Sequence, residues 1–332
     1  MNETGARPRR LELGIGAAAA ALLYLLPTAG FSDYVMAVAT SACAYCILAV
    51  GLNLVYGYTG LLSLGQVAFW GLGAYVAALA AVDLKWSIWA GVLVGGVIAG
   101  ISGIAVAFSS LRLSRHAFAI VTLIFALLMQ LIARDWSEVT RGPLGIPALP
   151  QPTLDLPGLG RFVFDTPARY YVLMLTLALA SIVVVYSIVH SRIGRALVAI
   201  RDNEALAESQ GMNTLHYKLL AVGVSAALAG LAGGLYVFHL SVVDPSIFDF
   251  AYTEATVIMV IVGGPGCFWA VIASSIGFSI LPEALRVTDR VRYVLYGAIL
   301  VAAMLVMPKG IGGLLQQRRI AAMRPRPGQG GT

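Results

Sequence analysis

The residues best suited to chemistry or recognition lie in one polar stretch, "GRALVAIRDNEALAESQGMN", from Gly194 to Asn213. This stretch is unusual in a chain that is 59% hydrophobic and 11% charged. If it forms one helix, spacings of three and four residues place five side chains on one stripe, namely Leu197, Ile200, Glu204, Ala207 and Gly211. The stripe ends in small residues, so another surface can approach it closely. This pattern predicts a helix that docks in a groove of a partner protein.

Charged residues flank this stripe. Arg195 follows Gly194 at the start of the segment, and Arg201 and Glu208 lie beside the stripe. These two side chains can pair across a partner or with Glu204. A second interpretation is a solvated helix that only joins two membrane spans, and the residues alone leave both interpretations open.

Catalytic and metal-binding patterns are missing from the sequence. Cys43 and Cys46 form a C-x-x-C inside an apolar run, which favours helix packing over a metal or redox site. The histidines are scattered without metal-ligand spacing, at His116, His190, His216 and His239. No paired carboxylates, H-E-x-x-H or phosphate-binding G-x-x-x-x-G-K-[ST] occurs. We therefore expect neither an enzyme nor a chain that binds a metal or nucleotide cofactor itself.

The elements that position the polar stretch are predicted to be membrane helices. Soluble domains are about one quarter charged, whereas this chain has a mean hydropathy of +0.85. A spanning helix needs about 20 apolar residues. Ten apolar runs meet or approach this length, at 11–31, 34–56, 60–81, 87–110, 117–133, 169–189, 218–240, 252–264, 267–284 and 293–307. The predicted fold is an all-α, polytopic transmembrane bundle of about ten spans.

Two parts of this span assignment have alternatives. The run at 11–31 follows basic residues and resembles a secretory signal peptide, but its length favours an uncleaved first span. The runs at 252–264 and 267–284 are separated only by "GGPG" and can also form a re-entrant pair.

The distribution of basic residues predicts the orientation. With both termini in the cytoplasm, most of the 22 Lys and Arg residues fall in cytoplasmic segments, as the positive-inside rule requires. A cluster in the loop before the last span opposes it, at Arg286, Arg290 and Arg292. The net charge of +6 therefore indicates orientation in a membrane and gives no sign of nucleic-acid binding.

These patterns divide the chain into three regions. We predict a basic cytoplasmic N-terminus at 1–10, a transmembrane domain at 11–315 and a basic, disordered cytoplasmic tail at 316–332. Two long connections lie within the domain. The proline-rich one at 134–168 is predicted to be extracytoplasmic, as an ordered non-helical loop or short hairpin. The connection at 190–217 is predicted to be cytoplasmic and contains the polar stretch.

Polar residues within the apolar runs are candidates for contact with a solute. Four of them surround the glycine-rich join of the second and third runs, and one lies near the outer end of the fifth: Asn53, Thr59, Ser63, Gln66 and Gln130. Polar groups at membrane depth are costly and often functional. They can equally hydrogen-bond to neighbouring helices.

Glycines at four-residue spacing predict tightly packed helices. They form small-x-x-x-small pairs at Gly91 and Gly95, Gly96 and Gly100, and Gly230 and Gly234. We assign these glycines to helix packing, not to solute contact.

An ordered series of motifs carries a family resemblance over about 34–315. The motifs are "GLNLVYGYTGLLSLGQVAFWGLGAYVAAL", "RHAFAIVTLIFALLMQLI", "TRGPLGIP", "SRIGRALVAIRDNEALAESQGMN", "GLAGGLYV", "VIVGGPG" and "MPKGIGGLL". Together they resemble the branched-chain amino-acid ABC permeases of the LivM type. The chain departs from that pattern at Arg141, where the family tends to have glycine, and at Leu144, where a polar residue is common. The family's Glu-Ala-Ala triplet is also replaced, by Ala205, Leu206 and Ala207.

The resemblance implies a permease subunit of an ABC importer in the bacterial inner membrane, with branched-chain amino acids as the substrate class. Related permeases also carry urea, amides or aromatic acids. The implied partners are a second homologous permease, two P-loop ATPase subunits that bind ATP and Mg, an extracytoplasmic solute-binding protein and membrane lipid. The Gly194 to Asn213 segment would then dock on the ATPase.

A rival interpretation is a self-sufficient secondary transporter or channel. Coupling to an ion gradient requires buried acids or bases within the membrane, and the apolar runs are nearly free of them.

Overall fold

The computed structural model describes residues 16, 18, 20–110, 115–156, 160–285, 297, 298, 310 and 312. Residues 20–24 are helical and lead into a 3-10 turn at Leu26–Ala29. The helices that follow are α1 (Asp33–Leu52), α2 (Gln66–Val82), α3 (Ile88–Ser110), α4 (Arg115–Asp135), α5 (Ser137–Thr140), α6 (Pro167–Val189), α7 (Arg192–Asp202), α8 (Glu204–Ser209), α9 (Thr214–Leu240), α10 (Phe250–Gly263) and α11 (Phe268–Leu285).

Six helical stretches among the described residues are long and apolar enough to cross a membrane, and two shorter apolar helices accompany them. The predicted helical membrane class is therefore confirmed. The count of ten spans and the cytoplasmic termini stay predictions. The terminal segments at 1–10 and 316–332, the arginine cluster at 286–292 and the run at 293–307 lie outside the described residues, apart from 297 and 298.

The centre of the bundle consists of α2, α3 and α9, which pack together more extensively than the other described helices. Their approach depends on residues without a side chain. A Cβ added to Gly73 of α2 would overlap the carbonyl oxygen of Gly230 in α9. A Cβ added to Gly95 of α3 would lie 2.7 Å from the carbonyl oxygen of Gly73. These backbones therefore touch, and any larger side chain would separate the helices.

The six glycines assigned to packing all lie at such contacts within this trio. On α3, Gly91 faces Ala77, Gly96 faces Leu231, and Gly100 faces Ala227, each with an added Cβ within 3.1 Å of the neighbour. On α9, Gly234 lies against Gly73 and Ala77. Gly73 and Gly233 have tighter contacts than these, and no four-residue pairing in the sequence singled them out.

The connection between α1 and α2 is not helical throughout, which corrects the prediction of a span at 60–81. A π-helical turn at Asn53–Gly57 extends α1, and the backbone from Gly60 to Gly65 is irregular. Helix α2 begins only at Gln66 and has 17 residues. Leucines at 61, 62 and 64 keep the irregular segment apolar, so hydropathy alone does not reveal the break.

The 134–168 connection contains the expected hairpin, in which β2 (Thr153–Leu156) pairs antiparallel with β3 (Gly160–Val163). It is not wholly non-helical, because α5 and a 3-10 turn at Gly142–Leu144 precede the hairpin. A second antiparallel pair joins β1 (Ile146–Pro147) to β4 (Val242–Val243), beyond the end of α9. This pair fixes the connection to the Leu240 end of α9.

Candidate functional site

The polar stretch is folded as two helices, so the prediction of one continuous helix is wrong. Asn203 separates α7 from α8 with extended backbone angles, φ −156° and ψ 102°. Its side-chain oxygen accepts a hydrogen bond from the Leu206 amide at 3.0 Å and caps α8. Asparagine favours such caps over helix interiors, which explains the break. We call residues 192–211, comprising α7, α8 and the turn after them, the coupling segment.

Three of the five residues in the predicted stripe face the interior of this chain. Leu197 and Ile200 are fully buried, and Ala207 is 3% exposed. These side chains attach the coupling segment to the membrane helices, so they are unavailable for contact with another protein. The correction has a simple cause: a helix that lies on its own bundle buries its apolar face there.

Charged groups fasten α8 to the bundle. Glu204 forms an ion pair with Lys218 of α9, whose side chain is only 6% exposed. The second carboxylate oxygen of Glu204 lies 3.6 Å from the Arg115 guanidinium at the start of α4. Glu208 accepts a hydrogen bond from the Thr214 hydroxyl at 2.7 Å. Two buried or half-buried cations thus converge on one carboxylate, which is the arrangement required to hold a charged group away from water.

Arg115 also fastens the end of α7. Its guanidinium donates to the carbonyl oxygen of Ile200 at 2.9 Å and to that of Arg201 at 3.4 Å. Both carbonyls lie in the last turn of the helix, where carbonyl oxygens have no helical partner and favour a cation. The start of α4 and the end of α7 are therefore held together.

Arg201 reaches from the coupling segment into the membrane domain. Its guanidinium donates to the Gly57 carbonyl oxygen at 2.6 Å, at the end of the π-helical turn. The Gly266 amide in the α10–α11 turn donates to the Asn53 side-chain oxygen at 2.9 Å. Arg201 therefore contacts a junction at which α1 and the α10–α11 turn meet.

Gly194 and Gly211 serve the backbone of the coupling segment. A Cβ at Gly194 would overlap the Val189 carbonyl oxygen, so glycine permits the tight turn from α6 into α7. Gly211 has φ +81° and no atom within 4 Å of an added Cβ. Its conformation favours glycine after a helix end, not close approach to another part of this chain.

The side of the coupling segment that faces away from the bundle is mixed in character. Its exposed residues are Arg192, Arg195, Asp202, Asn203, Ala205, Leu206, Glu208, Ser209, Gln210 and Gly211. Leu206 is 56% exposed and is the large apolar side chain in this set. Reasoning from the sequence missed Arg115, Lys218 and Leu206, because the first two lie in other helices and the third lies off the predicted stripe.

The polar residues at the α1–α2 connection are buried and bonded within the chain. Gln66 exchanges hydrogen bonds with Ser225 of α9 at 3.3 and 3.4 Å. The Thr59 hydroxyl donates to the Val55 carbonyl oxygen at 2.5 Å, and Ser63 accepts from the Gly65 amide at 3.4 Å. The Ser63 bond satisfies an amide of the irregular backbone, and the other bonds satisfy the buried side chains themselves. Their contact with a solute stays a prediction.

Asn53 and Gln130 differ from that set. The Asn53 side-chain nitrogen is buried and has no hydrogen-bond partner, although its oxygen is bonded to Gly266. Gln130 is half-buried on α4, about 12 Å along that helix from Thr122, which contacts the α1–α2 connection through Leu64. The structure thus does not bring Gln130 together with the other four.

An apolar cavity of about 380 Å³ lies between α1, α6 and α11 and is lined almost entirely by aliphatic side chains. Its lining suits hydrocarbon and offers little to a charged solute. Across the described ranges, His, Cys, Asp and Glu side chains form no group of three that could hold a metal ion.

Sequence comparison identifies the family to which these features belong. The model of the family described as "Branched-chain amino acid transport system / permease component" matches residues 34–304. The chain belongs to this family. The permease is therefore a multi-pass membrane component of a transport system, as the resemblance in its motifs predicted.

Individual relatives agree with this assignment. The high-affinity branched-chain amino acid transport permease protein LivM of Escherichia coli K12 is 32% identical over 82% of this chain and 69% of its own length. LivM of Salmonella typhimurium LT2 is 31% identical over the same shares. LivH of Escherichia coli K12 is 27% identical over 82% of this chain and 92% of its own length. No solved structure matches the permease significantly.

Proposed function

We propose that this permease forms half of the translocation pathway of an ATP-driven importer for branched-chain or related small amino acids. ATP and Mg would be bound by two separate P-loop ATPase subunits, and solute would arrive on an extracytoplasmic binding protein. The proposed location is the bacterial inner membrane, with both termini in the cytoplasm. A second homologous permease would complete the pathway, which agrees with the matches to both LivM and LivH.

The observation that carries this proposal is the way the coupling segment is held. Its buried face is fixed by Leu197 and Ile200, and its charges are fixed by Lys218 and Arg115. Its other face, around Leu206, is exposed. A loop that only joined α6 to α9 would not require a charged contact with α4 through Arg115 or a hydrogen bond from Arg201 to Gly57. A segment that must transmit force requires both rigid attachment and an exposed face for the partner.

The attachments indicate where a displacement of the coupling segment would travel. Lys218 would transmit this displacement to α9, and Arg115 would transmit it to α4. Arg201 would carry it through Gly57 to the π-helical turn and, by way of Asn53 and Gly266, to the α10–α11 turn. Alternating access requires such coordinated movement of packed helices around a pathway. The closely packed α2, α3 and α9 would move as one unit.

The proposal is tested by comparing Leu206→Arg with Leu206→Met in the purified assembly. The arginine places a charge on the exposed face. On this proposal it weakens binding of the ATPase by about 2 kcal/mol or more, which is the scale for losing a buried interface anchor. Methionine keeps the face apolar and serves as the matched control. The measurement is the amount of ATPase that co-purifies with a tagged permease, together with the solute-dependent rate of ATP hydrolysis.

Leu206→Arg is expected to lose most of the ATPase while the permease remains inserted and monodisperse. If Leu206→Arg retains both the ATPase and solute-dependent hydrolysis, the coupling segment has another role. A permease that moves solute without any ATPase would favour the secondary transporter.

A further inference from the structure

Five side chains from four helices form a neutral, aromatic surface far from the coupling segment. They are Ser41 and Tyr45 of α1, Trp70 of α2, Tyr236 of α9 and Tyr252 of α10. We call this set the aromatic surface. Tyr236 lies about 33 Å along α9 from Thr214, which follows the coupling segment and begins that helix. The set is therefore separate from the charged contacts described above.

The rings of this set pack directly against one another around Trp70. The Trp70 ring lies 5.1 Å from the Tyr236 ring and 6.1 Å from the Tyr252 ring, centroid to centroid. Tyr252 also stacks on Tyr45 at 6.0 Å. The Ser41 and Tyr236 hydroxyls are hydrogen-bonded at 3.1 Å. Trp70 is 1% exposed and the other four side chains are half-buried, so Trp70 lies beneath the other four.

One polar group of the aromatic surface has no hydrogen-bond partner. The Trp70 indole nitrogen is buried and has no hydrogen-bond partner. Buried tryptophan N–H groups usually find an acceptor, because leaving one without a partner is costly. The close contact between the Trp70 carbonyl oxygen and Gly233 holds this part of α2 against α9 and limits its adjustment. An acceptor supplied from outside the chain would satisfy the N–H.

We propose that the aromatic surface binds the amino-acid solute during translocation, with its ammonium group against the ring faces and its carboxylate accepting from the Trp70 N–H. Ring faces attract cations, and the rings offer apolar contact to an aliphatic side chain. The five side chains carry no fixed charge themselves, so they suit a zwitterion that must be released again. This assignment rests on the proposed function, since it takes the solute class from there.

The first test measures L-leucine uptake into liposomes that contain the full assembly, ATP and an excess of binding protein. Trp70→Phe keeps an aromatic ring but removes the N–H. We expect its initial uptake rate to fall about tenfold, the usual scale for losing a hydrogen bond to a charged group. Trp269→Phe, a half-exposed tryptophan of α11 outside the surface, is the matched control and should transport normally.

The second test does not depend on transport. In full-length permease with Cys43, Cys46 and Cys267 replaced by alanine, Ser41→Cys is alkylated by a maleimide with and without L-leucine. At about twice the dissociation constant, L-leucine should slow this labelling about threefold. Ser87→Cys, on the exposed turn before α3, should label at an unchanged rate.

The two tests separate the assignment from the proposed function. A wild-type assembly that shows no ATP-dependent uptake of L-leucine would contradict the proposed function, while the labelling experiment would still test the surface. Labelling of Ser41→Cys that is indifferent to L-leucine, or wild-type uptake by Trp70→Phe, would overturn the assignment of the aromatic surface.

Discussion

Helix α9 meets charged side chains near Thr214 and aromatic rings near Leu240. At the first end, Lys218 is paired with Glu204 of the coupling segment. At the other end, Tyr236 and His239 lie among the rings of Trp70 and Tyr170. Glycines 230, 233 and 234 hold the helix tightly to α2 on the way to that end. Ion pairs resist displacement of an exposed segment, so the end near Thr214 suits the transmission of force. Neutral rings can bind and release a solute, so the end near Leu240 suits contact with one.

The largest effect on stability is expected from a substitution that disrupts the packing of α9 against α2, between these two ends. Gly233→Val would force a side chain into the Trp70 carbonyl oxygen. Overpacking of this kind costs about 3 kcal/mol or more when the backbone itself obstructs the new group. We expect loss of monodisperse protein and a lower unfolding temperature in detergent. Gly277→Ala is the matched control, because nothing lies within 4 Å of its added Cβ, and it should leave stability unchanged or slightly raised.

A smaller but still large effect is expected at the charged end. Glu204→Ala would leave the Lys218 ammonium, 6% exposed, without its carboxylate. Removing one partner of a buried ion pair costs about 3 kcal/mol, and partial exposure of Glu204 reduces this to about 2 kcal/mol. The double variant Glu204→Ala, Lys218→Met should recover part of the loss. A double-mutant cycle on thermal unfolding measures the coupling, and strictly additive single effects would show that the pair does not fasten the segment.

Arg201 connects the charged end to the membrane domain, so its loss should affect function more than stability. Arg201→Ala removes a hydrogen bond from a cation to the Gly57 carbonyl oxygen and should cost about 1.5 kcal/mol of local stability. The expected result is a lower ratio of solute transported to ATP hydrolysed. Arg201→Lys is the control, since lysine keeps a cation that can donate to the Gly57 carbonyl oxygen. Equal transport ratios in the two variants would exclude Arg201 as a connection.

The smallest effect on stability is expected at Arg141, which lies in the 134–168 connection and at neither end of α9. This residue has φ +62° and forms an exposed ion pair with Asp83 at 2.9 Å. An exposed ion pair stabilises the fold by less than about 1 kcal/mol. Glycine at a position with positive φ removes backbone strain and stabilises the fold by a similar amount. Arg141→Gly should therefore change the free energy of unfolding by less than about 0.5 kcal/mol. Arg141→Ala loses the pair and keeps the strain, so it should be less stable than Arg141→Gly. The reverse order of thermal stability would contradict this explanation.

Sequence patterns predicted what depends on composition and local chemistry. Apolar runs located the membrane helices, and glycine spacing identified α3 and α9 as helices with tightly packed faces. Hydropathy did not detect the break before Gln66, because Leu61, Leu62 and Leu64 continue the apolar run through an irregular backbone. Helical periodicity placed Leu197 and Ile200 on one face, but it did not specify which surface that face contacts.

The contacts that define the candidate site were beyond such reasoning because they join distant parts of the chain. Arg115, Glu204 and Lys218 come from three helices, and Arg201 meets Gly57 across 144 positions. The cap formed by Asn203 was visible in the sequence as a residue that favours helix starts. Treating the stretch as one helix overlooked it.

The energy source of transport is the most direct test of the central claim. The tagged permease would be purified with its bound subunits, reconstituted in liposomes and assayed for L-leucine uptake with and without internal ATP. The account predicts uptake that requires ATP and the binding protein and that Leu206→Arg abolishes. Uptake by the permease alone, without ATP and in proportion to an imposed sodium or proton gradient, would contradict it.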